Sequence, residues 1–345
     1  MKSKNKLIFI GPLRLGQTPR GGDTMKNNLF LKRFKVVFDK VYVVDTIDWQ
    51  KKPFTIVKMV LYFIFIRNAK VIISCEQGAS KIIDFLYYFR FQKEVFYWVV
   101  GSGFPIRIAN GELSPKHYFF LKRIMVQSPN MVVSLQNAGL DNARYVPNSK
   151  PIYDIPIKRH EGTIKFVFLS RILPEKGIEQ IFDCVERLND EGYKDRFLID
   201  FYGMIDERYL SFKACVNKFS NVAYQGLLDL TKKEGYQTLE SYDIMLFPTF
   251  YEGEGFPGVF IDAFISALPI ITTNWHYNTE IVKDGETGFI IPPKDVDALF
   301  AKMKWAIENR DSLEIIRLTC KNEAQKYDNN SILSVDNLNK IGLLE

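Results

Sequence analysis

Short apolar runs alternate with longer segments of helical periodicity along the whole chain. In the first half the runs are KLIFIG (6–11), KVYVVD (40–45), AKVIIS (69–74), EVFYWVV (94–100) and MVVSL (131–135). The second half offers IKFVFLS (164–170), FLIDFYG (197–203), VAYQG (222–226), YDIMLFP (242–248), PIITT (269–273) and GFIIP (288–292). The runs are continuous rather than alternating, which predicts parallel strands covered on both faces. Helical patterns fall at 23–37, 79–91, 176–191, 207–219, 257–267 and 295–308. Strand and helix in turn predict an α/β chain of two doubly wound units. The stretch VPNSKPIYDIPIKRHEG (146–162) has three prolines and no periodicity, and predicts the join. The expected division is 1–155 and 156–325, with a terminal segment, 326–345, packing back toward the first domain.

Composition narrows the class. A chain of 345 residues suits two domains. The longest apolar stretch, FTIVKMVLYFIFI (54–66), is too short for a transmembrane helix and contains Lys58. The start, MKSKNKLIFIGPL, is basic and then briefly apolar, with no small-residue cleavage site, and reads as a first strand. Cys75, Cys184, Cys215 and Cys320 lie far apart, so neither a disulfide framework nor a zinc site is expected. A reducing cytoplasm fits.

Charge is divided unevenly. Residues 1–155 carry 24 Lys and Arg against 10 Asp and Glu, a net of +14. Residues 156–345 carry 22 against 30, a net of −8. A basic half points to an anionic partner, nucleic acid or membrane. The positive charge is not condensed into one tract and no nucleic-acid-binding motif is present, so nucleic acid is not expected.

Ligands of doubly wound sheets bind beyond the carboxyl ends of strands, so the loops after the strands hold the candidate chemistry. Gly21-Gly22 precedes a helix that Asp23 or Thr24 could cap, and a glycine pair there lets backbone N–H groups approach an anion. Arg171 follows the strand at 164–170, and Lys176 comes five residues later. Two such cations can neutralise a diphosphate, the arginine with a two-pronged grip. The stretch TFYEGEGFPGVFIDAF (249–264) sets Glu254 at the mouth of a helix and Asp262 eight residues on. That spacing is about two helical turns, which expects both carboxylates on a similar face. Asp262 sits in an apolar run, where an unpartnered carboxylate is costly. The DxD at Asp295–Asp297 reads as a helix cap, not a metal site. His117, His160 and His276 are scattered and receive no catalytic role.

Three segments, LSRILPEKGIEQIFDCV (169–185), FPTFYEGEGFPGVFIDAFISALPIITTN (247–274) and EIVKDGETGFIIPPKDVDAL (280–299), resemble the retaining nucleotide-sugar glycosyltransferases of the GT-B fold. These are the group 1, family 4-like enzymes. The resemblance implies two Rossmann-like domains facing each other across a cleft, an acceptor domain followed by a donor domain. It implies that Arg171 and Lys176 hold the donor diphosphate, and that Glu254 with Gly255, Phe256, Pro257 and Gly258 addresses the donor sugar and its phosphate. Asp262 stands where the family has a second glutamate, and would take the ribose hydroxyls. Gly22 would bring backbone near the phosphate and the acceptor. Many relatives place a histidine after the fourth strand of the first domain. This chain has VVGSGF (99–104) there.

The implied reaction is metal-independent transfer of a sugar from a nucleotide-diphosphate donor, such as a UDP- or GDP-sugar, with retention at the anomeric carbon. No cofactor is expected. Basic and aromatic residues at 51–70 and 81–93 suit anionic lipid, so the expected acceptor is a lipid-linked saccharide of a capsule or other surface polysaccharide. The expected place is peripheral, on the inner face of the cell membrane. A nucleotide-sugar epimerase or a phosphorylase on the same architecture, a non-catalytic sugar-nucleotide binder and a nucleic-acid-binding protein are the alternatives.

Overall fold

A computed structural model describes residues 3–16, 21–76, 78–91 and 93–344. Residues 1–2, 17–20, 77, 92 and 345 lie outside the described residues. They include part of the basic start and the four residues ahead of Gly21. The chain forms two compact units, Met1–Lys150 with Asn329–Glu345, and Pro151–Asp328.

The first unit holds β1 (Ser3–Gly11), β2 (Phe38–Asp45), β3 (Ala69–Ile73), β4 (Val95–Trp98), β5 (Arg123–Val126) and β6 (Ala143–Tyr145). They form a parallel sheet in the order β2-β1-β3-β4-β5-β6. Every residue of β3 and β4 is buried, as continuous apolar runs require. One expected strand is overturned: MVVSL lies in a helix, Pro129–Asn137. Ser128 caps it by accepting from the Met131 N–H at 3.3 Å, and Pro129 occupies the first turn. Met131 and Leu135, one turn apart, face the core. The strands β5 and β6 on either side, only 4 and 3 residues long, lacked a legible pattern.

The terminal segment completes the first core. Leu333, Leu338 and Leu343 are fully buried with Phe34 and Trp98. Arg33 Nε donates to the Leu333 carbonyl at 2.8 Å, and Lys70 Nζ to the Gly342 carbonyl at 2.9 Å.

The second unit holds β7 (Ile164–Leu169), β8 (Phe197–Tyr202), β9 (Val222–Gly226), β10 (Ile244–Phe247), β11 (Ile270–Thr273) and β12 (Gly288–Ile291). These too are parallel, in the order β12-β11-β10-β7-β8-β9. Each sheet therefore reverses its strand order once. The reversal falls between β1 and β3 in the first sheet and between β7 and β10 in the second. Loops diverge at such switch points and leave a crevice beyond the strand ends.

Candidate functional site

The switch point of the second sheet gathers the loops after β7 and β10. The chain after β7 passes through a short turn, Pro174–Lys176, to Gly177, whose φ is +78°. A Cβ on Gly177 would stand 2.2 Å from the Pro248 carbonyl oxygen. Only glycine meets both demands, and its absent side chain lets the two loops touch. The Phe250 N–H donates to the Glu175 carbonyl at 2.9 Å across the same contact.

That approach buries an ion pair. Lys176 Nζ donates to Glu254 Oε2, and the two residues are 5% and 8% exposed. Thr249 Oγ1 donates to the same oxygen at 3.2 Å. Lys176 Nζ also stands 4.9 Å from the Phe247 ring centre and 5.0 Å from that of Tyr251. Burial pulls the Lys176 pKa down, and the Glu254 carboxylate opposes the shift without reversing it. Such a pair adds little net stability, because desolvation offsets the attraction, but it holds two charges in fixed positions.

Arg171 is placed differently. Its side chain is 47% exposed, and Nη1 lies 3.9 Å from Asp206 Oδ2. Its guanidinium carbon is 5.5 Å from the Tyr251 ring centre. Tyr251 thus lies against both cations, which the sequence spacing alone could not show.

The expected common face for Glu254 and Asp262 does not exist. The helix spans Gly258–Ile265, with Pro257 at its N-cap position and no side-chain cap. Glu254 lies in the loop before it, where its N–H donates to the Tyr251 carbonyl at 3.0 Å. Helical spacing therefore cannot relate it to Asp262. Asp262 is 2% exposed and accepts from the Tyr236 hydroxyl at 2.8 Å. Burial and then Asp262 push the Tyr236 pKa well up, so the phenol remains a donor. Gly255, Phe256 and Pro257 are buried and Gly258 is half-buried. The Phe256 ring packs against Tyr327, ring centres 5.5 Å apart, so that side chain serves the core.

Gly22 belongs to the first unit and opens the helix Gly22–Val37. Gly21, at φ +91°, is the N-cap residue, and neither Asp23 nor Thr24 caps the helix with its side chain. The Asp23 carboxylate instead accepts from the Thr24 N–H at 2.7 Å.

The structure adds residues that the sequence did not single out. Thr273 Oγ1 donates to the Thr249 carbonyl, and Trp275 Nε1 to the Tyr251 carbonyl at 2.9 Å. The chain after β11 thereby clamps the loop that carries Glu254. In the first unit, Lys26 is 7% exposed at the switch point, with Nζ 3.3 Å from the Val99 carbonyl oxygen. Burial drops its pKa to about 7, against a smaller upward pull from Asp23. Its signal was a lysine one and two turns before Phe30 and Phe34 on the buried helix face.

The remaining polar candidates have structural partners. Asp295 Oδ1 accepts from the Ala298 N–H at 2.9 Å, the cap that was expected. His117 meets Asp84 at 2.7 Å, and His276 meets the Glu252 carbonyl at 3.1 Å. His160, Asp243 and Glu314 come together closely enough to hold a metal ion. Two guanidinium groups already stand there: Arg310 lies 3.0 Å from Asp243 and Arg317 lies 3.1 Å from Glu314. The cluster is accordingly neutralised by arginine.

Comparison with known proteins now gives this arrangement a family. The model described as "Glycosyl transferases group 1" matches residues 150–327, more than half of the chain. The chain belongs to that family, and its paired parallel sheets are the GT-B fold. Among its relatives is the capsular polysaccharide biosynthesis glycosyltransferase CapM of Staphylococcus aureus. The two are 28% identical over 153 residues, 43% of this chain and 38% of CapM. The sulfoquinovosyl transferase SQD2 of Arabidopsis thaliana is 30% identical over 208 residues, 56% of this chain and 37% of SQD2. These alignments span less than half the length of either relative. The crystal structure of Anabaena HepE in complex with UDP superposes with a TM-score of 0.73 at 14% identity, covering 98% of this chain and 99% of HepE.

Proposed function

We propose that the protein transfers a sugar from a nucleotide-diphosphate sugar to a saccharide acceptor, with retention, in surface polysaccharide biosynthesis. The observation that carries this reading is the buried Lys176 at the second switch point, held by Glu254 and sharing Tyr251 with the half-exposed Arg171. Relatives named for capsular and colanic acid biosynthesis, and a similar fold solved with UDP, support the same assignment.

In this reaction the bond from the anomeric carbon to the phosphate oxygen breaks, and the acceptor hydroxyl oxygen bonds to that carbon. The hydroxyl proton passes to the departing diphosphate. Negative charge grows on the diphosphate, and fixed cations stabilise it without reorganisation. Arg171 has the exposure to reach an incoming phosphate first. Lys176 then divides its charge between the donor and Glu254, which keeps the ammonium placed when no donor is bound. Gly255, Phe256 and Gly258 offer backbone N–H groups at an uncapped helix start. Asp262 takes the ribose hydroxyls, with the Tyr236 hydroxyl fixing the carboxylate. Gly22 offers backbone to the acceptor. The acceptor is lipid-linked, and the enzyme works at the cytoplasmic face of the membrane. No metal takes part, because the two cations fill the role of a divalent ion.

Thermal-shift titration against a panel of UDP- and GDP-sugars, with and without EDTA, tests this reading. Stabilisation by one nucleotide class, unchanged by EDTA, is expected. Turnover of donor to an epimer with no acceptor and no nucleotide release would replace transfer by epimerisation. Stabilisation by none of them would remove the reading.

A further inference from the structure

The helix Pro53–Phe65 is apolar on the wrong side for a helix packed on a sheet. Only Met59 and Phe63 are buried. The opposite arc carries Phe54, Val57, Leu61, Ile64 and Phe65, which are 84%, 52%, 46%, 50% and 70% exposed. A surface helix ordinarily turns charged and polar residues outward. Here the only charge within the helix is Lys58, which lies on that same outward arc. Phe63 packs on Phe85 of the neighbouring helix Ala79–Tyr88, ring centres 6.3 Å apart, and Phe85 on Phe89 at 4.6 Å. Phe89 is itself 67% exposed, so the apolar surface continues past one helix. Between the two helices opens a groove of about 160 Å³, apolar apart from Lys81.

Charge says what this surface meets. No Asp or Glu occurs between Asp48 and Glu76. Lys51, Lys52, Lys58, Arg67, Lys81 and Arg90 are exposed, and none forms an ion pair among the described residues. We propose that this helix lies in the headgroup region of an anionic phospholipid bilayer, its outward arc among the acyl chains and its cations on the phosphates. An apolar arc framed by unpaired lysines is what an interfacial helix needs. A protein partner of this kind of surface would have to supply acidic side chains as well. The observation is independent of the donor site, though it rests on the proposed function for its purpose: it brings the enzyme to a lipid-linked acceptor.

Flotation of the full chain with vesicles tests the proposal. Wild type is expected to float with phosphatidylcholine–phosphatidylglycerol vesicles, less so at high salt, and to stay behind with phosphatidylcholine alone. Leu61→Asp/Phe65→Asp and Lys51→Glu/Lys52→Glu/Lys58→Glu should each lower the bound fraction at least tenfold. All these positions are exposed, and an unchanged thermal midpoint on donor titration shows that the fold and the second unit are intact. Wild type that ignores anionic vesicles, or variants that still bind them, would overturn the proposal. So would a concentration-dependent dimer that Leu61→Asp/Phe65→Asp abolishes, since a second copy would then be the occupant. Each of these outcomes leaves the donor titration, and with it the proposed function, standing or falling on its own.

Discussion

Each of the two switch points holds a buried lysine, and the two lysines are treated differently. Lys176 at β7/β10 has the Glu254 carboxylate against it. Lys26 at β1/β3 has the Val99 carbonyl at 3.3 Å and the Phe30 ring centre at 5.7 Å. Burial lowers the pKa of both. The Glu254 carboxylate opposes that shift in the first, while in the second the smaller pull of Asp23 leaves the pKa at about 7. The same fold element thus sets its lysine against a full counter-charge in one unit and against a carbonyl in the other. Diphosphate binding needs the former.

The largest expected effect breaks the fixed pair. Glu254→Gln keeps the shape of the side chain but removes its charge, and Lys176→Ala removes the cation. Either should lower turnover at least a hundredfold, since losing a preorganised charge contact costs roughly 3–4 kcal/mol. Steady-state transfer rates check it. Activity within a few-fold of wild type would mean that the pair is structural and that Lys176 does not meet the donor. Lys176→Ala should also unfold earlier than Glu254→Gln, because it leaves a buried carboxylate with Thr249 as its remaining side-chain partner of those described above.

The second effect sharpens the contrast through pH. The unfolded chain keeps the Lys26 proton up to about 10.5, whereas the folded chain releases it near 7. Between those values the unfolded state binds more protons, so stability rises with pH. The rise attributable to Lys26 should be about 2 kcal/mol from pH 7 to pH 9. Denaturant unfolding of wild type and Lys26→Met at both pH values isolates it. The variant should be the more stable at pH 7, and the gap should close as pH rises. A gap independent of pH would show that Lys26 is charged throughout.

How much of this could be read in the sequence follows the same division. The strands of the second unit were legible because each is a short, mostly apolar run, and five of the six runs end in Gly, Pro or Ser. Arg171, Lys176 and Glu254 were legible because each sits in a loop directly after such a run. Three things were not. MVVSL has the composition of a strand, but the cap at Ser128 and the proline at 129 act before its propensity does. The Glu254–Asp262 spacing was counted in helical turns although the helix was expected only from 257, and with Pro257 at the N-cap position half of the eight residues lie in the loop before it. Lys26 was missed because a lysine among phenylalanines reads as a defect in the pattern until its carbonyl partner is seen.

A smaller effect concerns the carboxylate that lies deeper than Glu254. Tyr236→Phe removes the hydroxyl that donates to Asp262 at 2.8 Å. The buried carboxylate then loses a donor at a cost of about 1–3 kcal/mol. Thermal or chemical unfolding measures that cost. If Asp262 takes the ribose, nucleotide affinity should fall as well, because the carboxylate is no longer fixed. Loss of stability with unchanged nucleotide affinity would assign Asp262 to the core alone.

The smallest effect compares glycines across the two units. Gly177 is required where it stands, by its φ of +78° and by the Pro248 carbonyl 2.2 Å from any Cβ. Gly22 is not required by its own fold: it lies in the first turn of its helix, and a Cβ built there meets nothing within 4 Å. Gly22→Ala should therefore change unfolding stability by no more than about 1 kcal/mol, in the stabilising direction that helix propensity gives alanine. Whatever it does to transfer then reports on a ligand rather than on folding. A rise in the acceptor KM in a protein that is no less stable would mean that backbone approach at Gly22 matters. Unchanged kinetics would leave Gly21, with its φ of +91°, as the glycine of the pair that the turn needs.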